Sequence, residues 1–174
     1  HTLDMDNYPL AFKVYKGIAS ISFPTNVPFP TLGALESIHT DPAPLDIESI
    51  PDIGILGQLL FLSAGITKEK KYPGGKMYYR AAACTGALYH IDLYVVCGKI
   101  KGLDAGVYHF SSHDFSLRKL REGDHRGILV KGSAGEPSLS HAPVILATAS
   151  TYWRNSWKYR SRTYRHCGWD NGTL

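Results

Sequence analysis

Residues 80–96 read RAAACTGALYHIDLYVV. Ile91, Leu93, Val95 and Cys97 alternate with Asp92, Tyr94 and Val96, which is the two-residue period of a β-strand. Directly before it, Ala83, Cys84, Thr85 and Gly86 offer little bulk, free main-chain amides and one hydroxyl. Small side chains let a flat ring or a phosphate approach the main chain, and Thr85 is placed to cap a helical turn starting near Gly86. Arg80 adds a fixed charge with forked donors that suit phosphate. An ordinary turn feeding a strand accounts for the same residues, so both readings stand at this point.

Working toward the C-terminus, KGLDAG at 101–106 is a turn and Val107–Phe110 a second strand, so the pair is a hairpin or meander. Phe115–Leu120 suits either strand or helix. Pro143–Thr148, PVILAT, is a compact apolar run expected as a buried central strand. Large aromatics at helical intervals predict one or two helices over Tyr152–Trp169.

Working toward the N-terminus, the polar residues 67–79 around Pro73-Gly74-Gly75 are expected as a mobile loop. The glycines there are not followed by the Lys-Ser or Lys-Thr pair of a phosphate-cradling loop. Ile55, Leu56, Leu59, Leu60, Leu62 and Ile66 recur at helical spacing, with Gly65 positioned as a left-handed stop. Residues 18–51 hold six of the ten prolines and read as extended chain wrapped on another surface. Tyr8–Lys16 is expected as a short helix ended by Gly17. The organisation is thus one domain over 1–174, with a Pro-rich segment 1–52 and a core 53–174, as the length of 174 residues allows.

At 44% hydrophobic and 20% charged residues the composition is that of a folded domain, and no apolar run is long enough to span a membrane. No basic-then-apolar leader precedes the first elements. The basic residues fall in separate groups, only one of which is dense: RNSWKYRSRTYRHCGW at 154–169 interleaves Arg and Lys with Trp and Tyr. That mixture suits a phosphate-binding surface or a solvated helix face, and less well a nucleic-acid groove. Three unevenly spaced cysteines, Cys84, Cys97 and Cys167, match neither a disulfide set nor a zinc framework, which points to a reducing, cytoplasmic compartment. His109 and His113 flank a strand end and do not converge as metal ligands would on a helix. A nucleophilic Cys84 would have only His90 as a local partner.

Four stretches in order and spacing, RAAACTGALYHIDLYVV, GLDAGVYHF, PVILATAS and WKYRSRTYRHCGWDNG, together resemble the nitroreductase-like flavoprotein family, and most closely its SagB-type dehydrogenase branch. The resemblance runs from about Leu56 to Leu174. It implies an α+β fold with a mixed or antiparallel sheet packed with helices, and non-covalent FMN held at the interface of a homodimer or against a second nitroreductase-like half. It implies that Arg80, Cys84, Thr85, Gly86, Ala87 and Leu88 line the flavin, and that Arg162, with Tyr159 and Arg165, belongs to helix packing or the phosphate side. The implied chemistry is two-electron hydride transfer through flavin N5. The substrate would be a peptide azoline in the SagB-like branch, or a nitro or quinone acceptor with NAD(P)H as electron donor in the wider family. A non-catalytic scaffold or peptide-binding domain is the alternative. The chain departs from the family pattern at Ala83, Cys84, Thr85 and His90 and in its DNGT ending, and stops before the long helix and further strands that complete the family's flavin site.

Overall fold

The computed structural model describes residues 2–25, 30–41 and 50–174. The strand read from the opening stretch is β4 (Ile91–Cys97), an interior strand of the main sheet with six of its seven residues buried. Strands β1 (Ser20–Ser22), β4, β5 (Gly106–Ser111), β6 (Ser116–Glu122) and β7 (Val144–Ser150) form one sheet in the order β1-β6-β5-β4-β7. Every pairing in it is antiparallel. Thus β4, β5 and β6 are a meander, and β7 returns to the far side of β4, where Val95 faces Leu146. The PVILAT run is therefore an edge strand instead of a central one. Its last residues, Thr148 to Ser150, are exposed, as the open side of an edge allows.

Helix α2 (Ile53–Ala64) packs Leu56, Leu60 and Ala64 onto the sheet against Phe23, Leu93, Val95, Tyr108, Phe110 and Leu117. Asp52 caps its start, accepting hydrogen bonds from Gly54 N and Ile55 N. The expected left-handed stop at Gly65 does not occur: Gly65 has φ −66° and ψ 152°. A side chain there would meet Phe61 at 2.5 Å, so the glycine serves close approach. The expected loop 67–79 is a hairpin, β2 (Ile66–Tyr72) with β3 (Gly75–Arg80), turning at Pro73-Gly74. Its turn chemistry was legible, but its polar strands lacked alternation because nearly all of β2 faces solvent.

No helix forms over 8–16; this stretch is irregular. Its side chains reach individually onto the sheet and hairpin: Phe12 meets the rings of Tyr78 and His113, and Lys13 Nζ donates to Tyr94 Oη at 2.8 Å. The Pro-rich stretch contains β1 and the short helix α1 (Ala34–His39), while Pro28, Pro42 and Pro44 lie outside the described residues. Two further short helices, α3 (Arg126–Gly132) and α4 (Pro137–His141), connect β6 to β7. The C-terminal helices are α5 (Tyr152–Tyr159) and α6 (Thr163–Gly172), separated by a 3-10 turn at Arg160–Arg162. No helix among the described residues is long and apolar enough to cross a membrane.

Candidate functional site

The segment between β3 and β4 carries the site. Hydrogen bonds from Ala81 N to Gly65 O and Ala82 N to Ser63 O fasten its start to the end of α2. Thr85–Ala87 then make a 3-10 turn, with Gly86 at φ 66° and ψ 16°, a left-handed conformation that glycine adopts freely. A Cβ at Gly86 would lie 2.5 Å from Tyr159 Oη, so the turn packs directly against the last residue of α5. Thr85 does not cap this turn. Its Oγ1 donates to Asp170 Oδ1 at 2.7 Å and its N–H donates to the same oxygen at 3.0 Å.

Asp170, on α6, is the hub that the sequence reading missed. Its other oxygen, Oδ2, lies 3.2 Å from Cys84 Sγ and 2.9 Å from His90 Nε2. His90 is fully buried and its Nδ1 meets Ser150 Oγ at 2.8 Å, which in turn is 3.3 Å from Cys167 Sγ. Burial opposes ionisation of Asp170, but the hydrogen bonds from Thr85, Cys84 and His90 outweigh it and hold the carboxyl below the usual range. Burial, then the neighbouring carboxylate, push the Cys84 thiol up to about 12. In this environment it is a protonated thiol, the reverse of an activated nucleophile.

Arg80 faces the other side of the segment. Its guanidinium lies between the rings of Phe12 and Tyr89, at 5.6 and 5.0 Å from their centroids. Its Nη2 donates to Ala11 O at 3.4 Å, whereas its buried Nε has no partner among the described residues. Burial lowers its pKa to about 10, with Asp92 opposing and Arg154 adding to the shift, so it stays charged at neutral pH. A groove of about 70 Å³ runs beside it, walled by Pro9, Phe12, Tyr78, Ala87 and Leu88, and a cavity of about 20 Å³ lies toward Ala82, Ala83 and Cys84.

The expected strip is therefore split. Arg80 and the exposed residues Ala81, Ala83 and Gly86 present charge and little bulk to solvent. The side chains of Cys84 and Thr85 turn inward to α6, Ala87 is half-buried and Leu88 is buried. Arg162 is exposed, with its guanidinium 5.9 Å from the ring centroid of Tyr159, the residue that packs on Gly86. A flavin phosphate or ring edge fits the Arg80 side, where a positive charge has an unused buried donor. It does not fit among the Cys84 and Thr85 side chains, which Asp170 occupies. Both cavities are well below the ~300 Å³ of ordinary small-molecule pockets.

No protein-family model matches the chain. A curated protein named as a nitroreductase in Methanocaldococcus jannaschii is 23% identical over 111 residues, covering 64% of this chain and 52% of its own length. The chain thus spans about half of that relative. The crystal structure of a protein named as a nitroreductase from Anabaena variabilis superposes with a TM-score of 0.77 at 26% identity, over 99% of this chain and 32% of that one. A second protein so named, from Ralstonia eutropha, gives a TM-score of 0.57 at 19% identity, over 94% of this chain and 76% of that one. A chain of the E. coli microcin synthetase McbBCD complex, solved with truncated pro-MccB17 bound, gives 0.56 at 20% identity over 88% of this chain and 59% of that one. The antiparallel meander with its returning edge strand, covered by α2 and the C-terminal helices, is the nitroreductase fold, and the chain is similar in sequence to nitroreductase-like proteins.

Proposed function

We propose that this chain is the flavin-contacting part of an FMN-dependent oxidoreductase. The single observation that carries the reading is Arg80: a charged, desolvated guanidinium clamped between two rings, with a buried Nε lacking a partner among the described residues, beside exposed residues of minimal bulk. Bound FMN would supply two-electron redox chemistry. Arg80 would hold an anionic or electron-rich edge of it, the Ala81–Ala83 and Gly86 main chain would let it lie close, and Arg162 would add charge from the Tyr159 side. A second copy of the chain, or a second nitroreductase-like half, would provide the opposite wall. The substrate in this reading is either a peptide azoline or a nitro or quinone acceptor with NAD(P)H as donor; the nitroreductase names of the relatives favour the second.

Retention of FMN through gel filtration tests the reading. The wild-type chain is expected to elute yellow, and Arg80→Ala to lose flavin by on the order of tenfold in affinity, the effect of one charge-assisted contact. Lys71→Ala, an exposed change on β2, is expected to leave retention unchanged. Equal losses in the two variants would remove Arg80 from the site. Colourless protein that cannot be loaded with FMN would leave the scaffold or peptide-binding alternative, which the inward-turned Cys84 and Thr85 favour.

A further inference from the structure

We propose that Cys84, His90 and Asp170 form a divalent transition-metal site, with Zn²⁺ as its occupant, bound through Sγ, Nε2 and Oδ2. The three donors come from the turn before β4, from the residue preceding β4 and from α6, and they all lie within 4.8 Å of one another. Tetrahedral zinc, with bonds of about 2.0–2.3 Å, sets its ligand atoms roughly 3.3–3.7 Å apart. Oδ2 is already 3.2 Å from Sγ and 2.9 Å from Nε2, so the ion needs those pairs to open by a few tenths of an ångström and Sγ and Nε2, within 4.8 Å of each other, to settle at tetrahedral spacing.

The surroundings are those of a metal shell. Asp170 Oδ1 is taken by two hydrogen bonds from Thr85, which aims Oδ2 at the other two donors. Ser150 Oγ orients His90 through Nδ1, leaving Nε2 to the site, and Tyr89 N–H donates to Cys84 Sγ at 3.1 Å. The sulfur and imidazole donors select zinc over magnesium or calcium. A thiolate and a carboxylate cancel the charge of the ion, so the occupied cluster is neutral where His90 and Asp170 are buried. The 20 Å³ cavity lined by Cys84 and Asp170 has room for one water as fourth ligand. On binding, the Cys84 thiol gives its proton to solvent, and His90 carries its own on Nδ1 toward Ser150 Oγ.

The test adds Co²⁺ to the full metal-free chain. One equivalent is expected to produce a thiolate-to-cobalt charge-transfer band, which Zn²⁺ abolishes. The band is expected to be lost in Cys84→Ser and kept in Cys167→Ser. Because Cys84→Ser disturbs a packed turn, a second measurement uses the wild type: Zn²⁺ is expected to slow iodoacetamide labelling of Cys84 by on the order of tenfold, with Cys167 unaffected. No band, a band that survives Cys84→Ser, or unchanged labelling of Cys84 would each mean that the cluster is held by hydrogen bonds alone. The site is independent of the flavin reading, since FMN retention and cobalt absorbance are read separately.

Discussion

His109 shows how one residue ties the sheet to solution conditions. It is 2% exposed on β5, its ring meets Tyr15 and Tyr94 at 4.9 and 5.4 Å, and its Nδ1 is buried without a partner among the described residues. Burial lowers its pKa to about 4; Asp92 opposes the shift, while Lys13, Arg80 and Arg118 add to it. The unfolded chain takes up a proton near pH 6.5 and the folded one only near 4. Stability from this group is therefore full above pH 6.5 and declines as pH falls toward 4. Urea unfolding across pH 7 to 4.5 is expected to show that slope in the wild type and a flatter one in His109→Gln; equal slopes would assign the loss to other groups. Site residues were legible in the sequence to a different degree. The candidates Arg80 and Gly86 could be named from local chemistry, a forked cation and a small residue beside it, and their contact with a cofactor stays part of the proposal. Asp170 could not, because its partners Thr85, Cys84 and His90 lie 80 or more positions away and only the fold brings them together.

At the scale of elements, the contact between the 3-10 turn and α5 makes a sharp prediction. Gly86 combines a φ of 66° with a side-chain direction blocked by Tyr159 Oη. Gly86→Ala is expected to cost about 1–3 kcal/mol by chemical denaturation, from backbone strain and overpacking together. Tyr159→Phe removes the nearest clashing atom, so the double variant is expected to recover part of that loss; strict additivity would show that strain alone is responsible. Asp52→Ala is expected to cost about 1 kcal/mol by removing the cap from α2, whose first N–H groups it satisfies. The elements best legible in sequence were those with strong periodicity and burial, β4, β5 and α2; the C-terminal helices followed from aromatic spacing, although Tyr152, Trp153, Tyr164 and Trp169 are exposed and the residues these helices bury are polar. The stretch 8–16 misled because Leu10, Phe12, Val14 and Tyr15 suit a helical face, whereas Phe12 and Tyr15 are fixed by separate tertiary partners and Leu10 and Val14 stay exposed. The β2–β3 hairpin was illegible for the opposite reason: a ribbon with little buried surface leaves no hydrophobic alternation to read.

For the whole molecule, the outer face of α2 is unusually apolar. Leu56, Leu60 and Ala64 face the core, yet Ile55, Leu59 and Leu62 are 55%, 50% and 52% exposed on the opposite side. Beside them, Phe23, Pro24, Phe61 and Phe115 line an apolar cavity of about 390 Å³. Each such aliphatic side chain gains about 1.5–3 kcal/mol when removed from water, so a partner covering all three would gain several kcal/mol before ordering costs. If the second wall of the proposed flavin site is another copy of this chain, sedimentation velocity is expected to show concentration-dependent dimers. Leu59→Glu is then expected to return the chain to monomer, because a carboxylate buried at the seam would lack a partner. Its effect on the monomer's own stability is expected to stay within about 0.5 kcal/mol, since Leu59 points away from the core. A wild type that stays monomeric at high concentration, with FMN retained at Arg80, would assign the second wall to a different polypeptide segment.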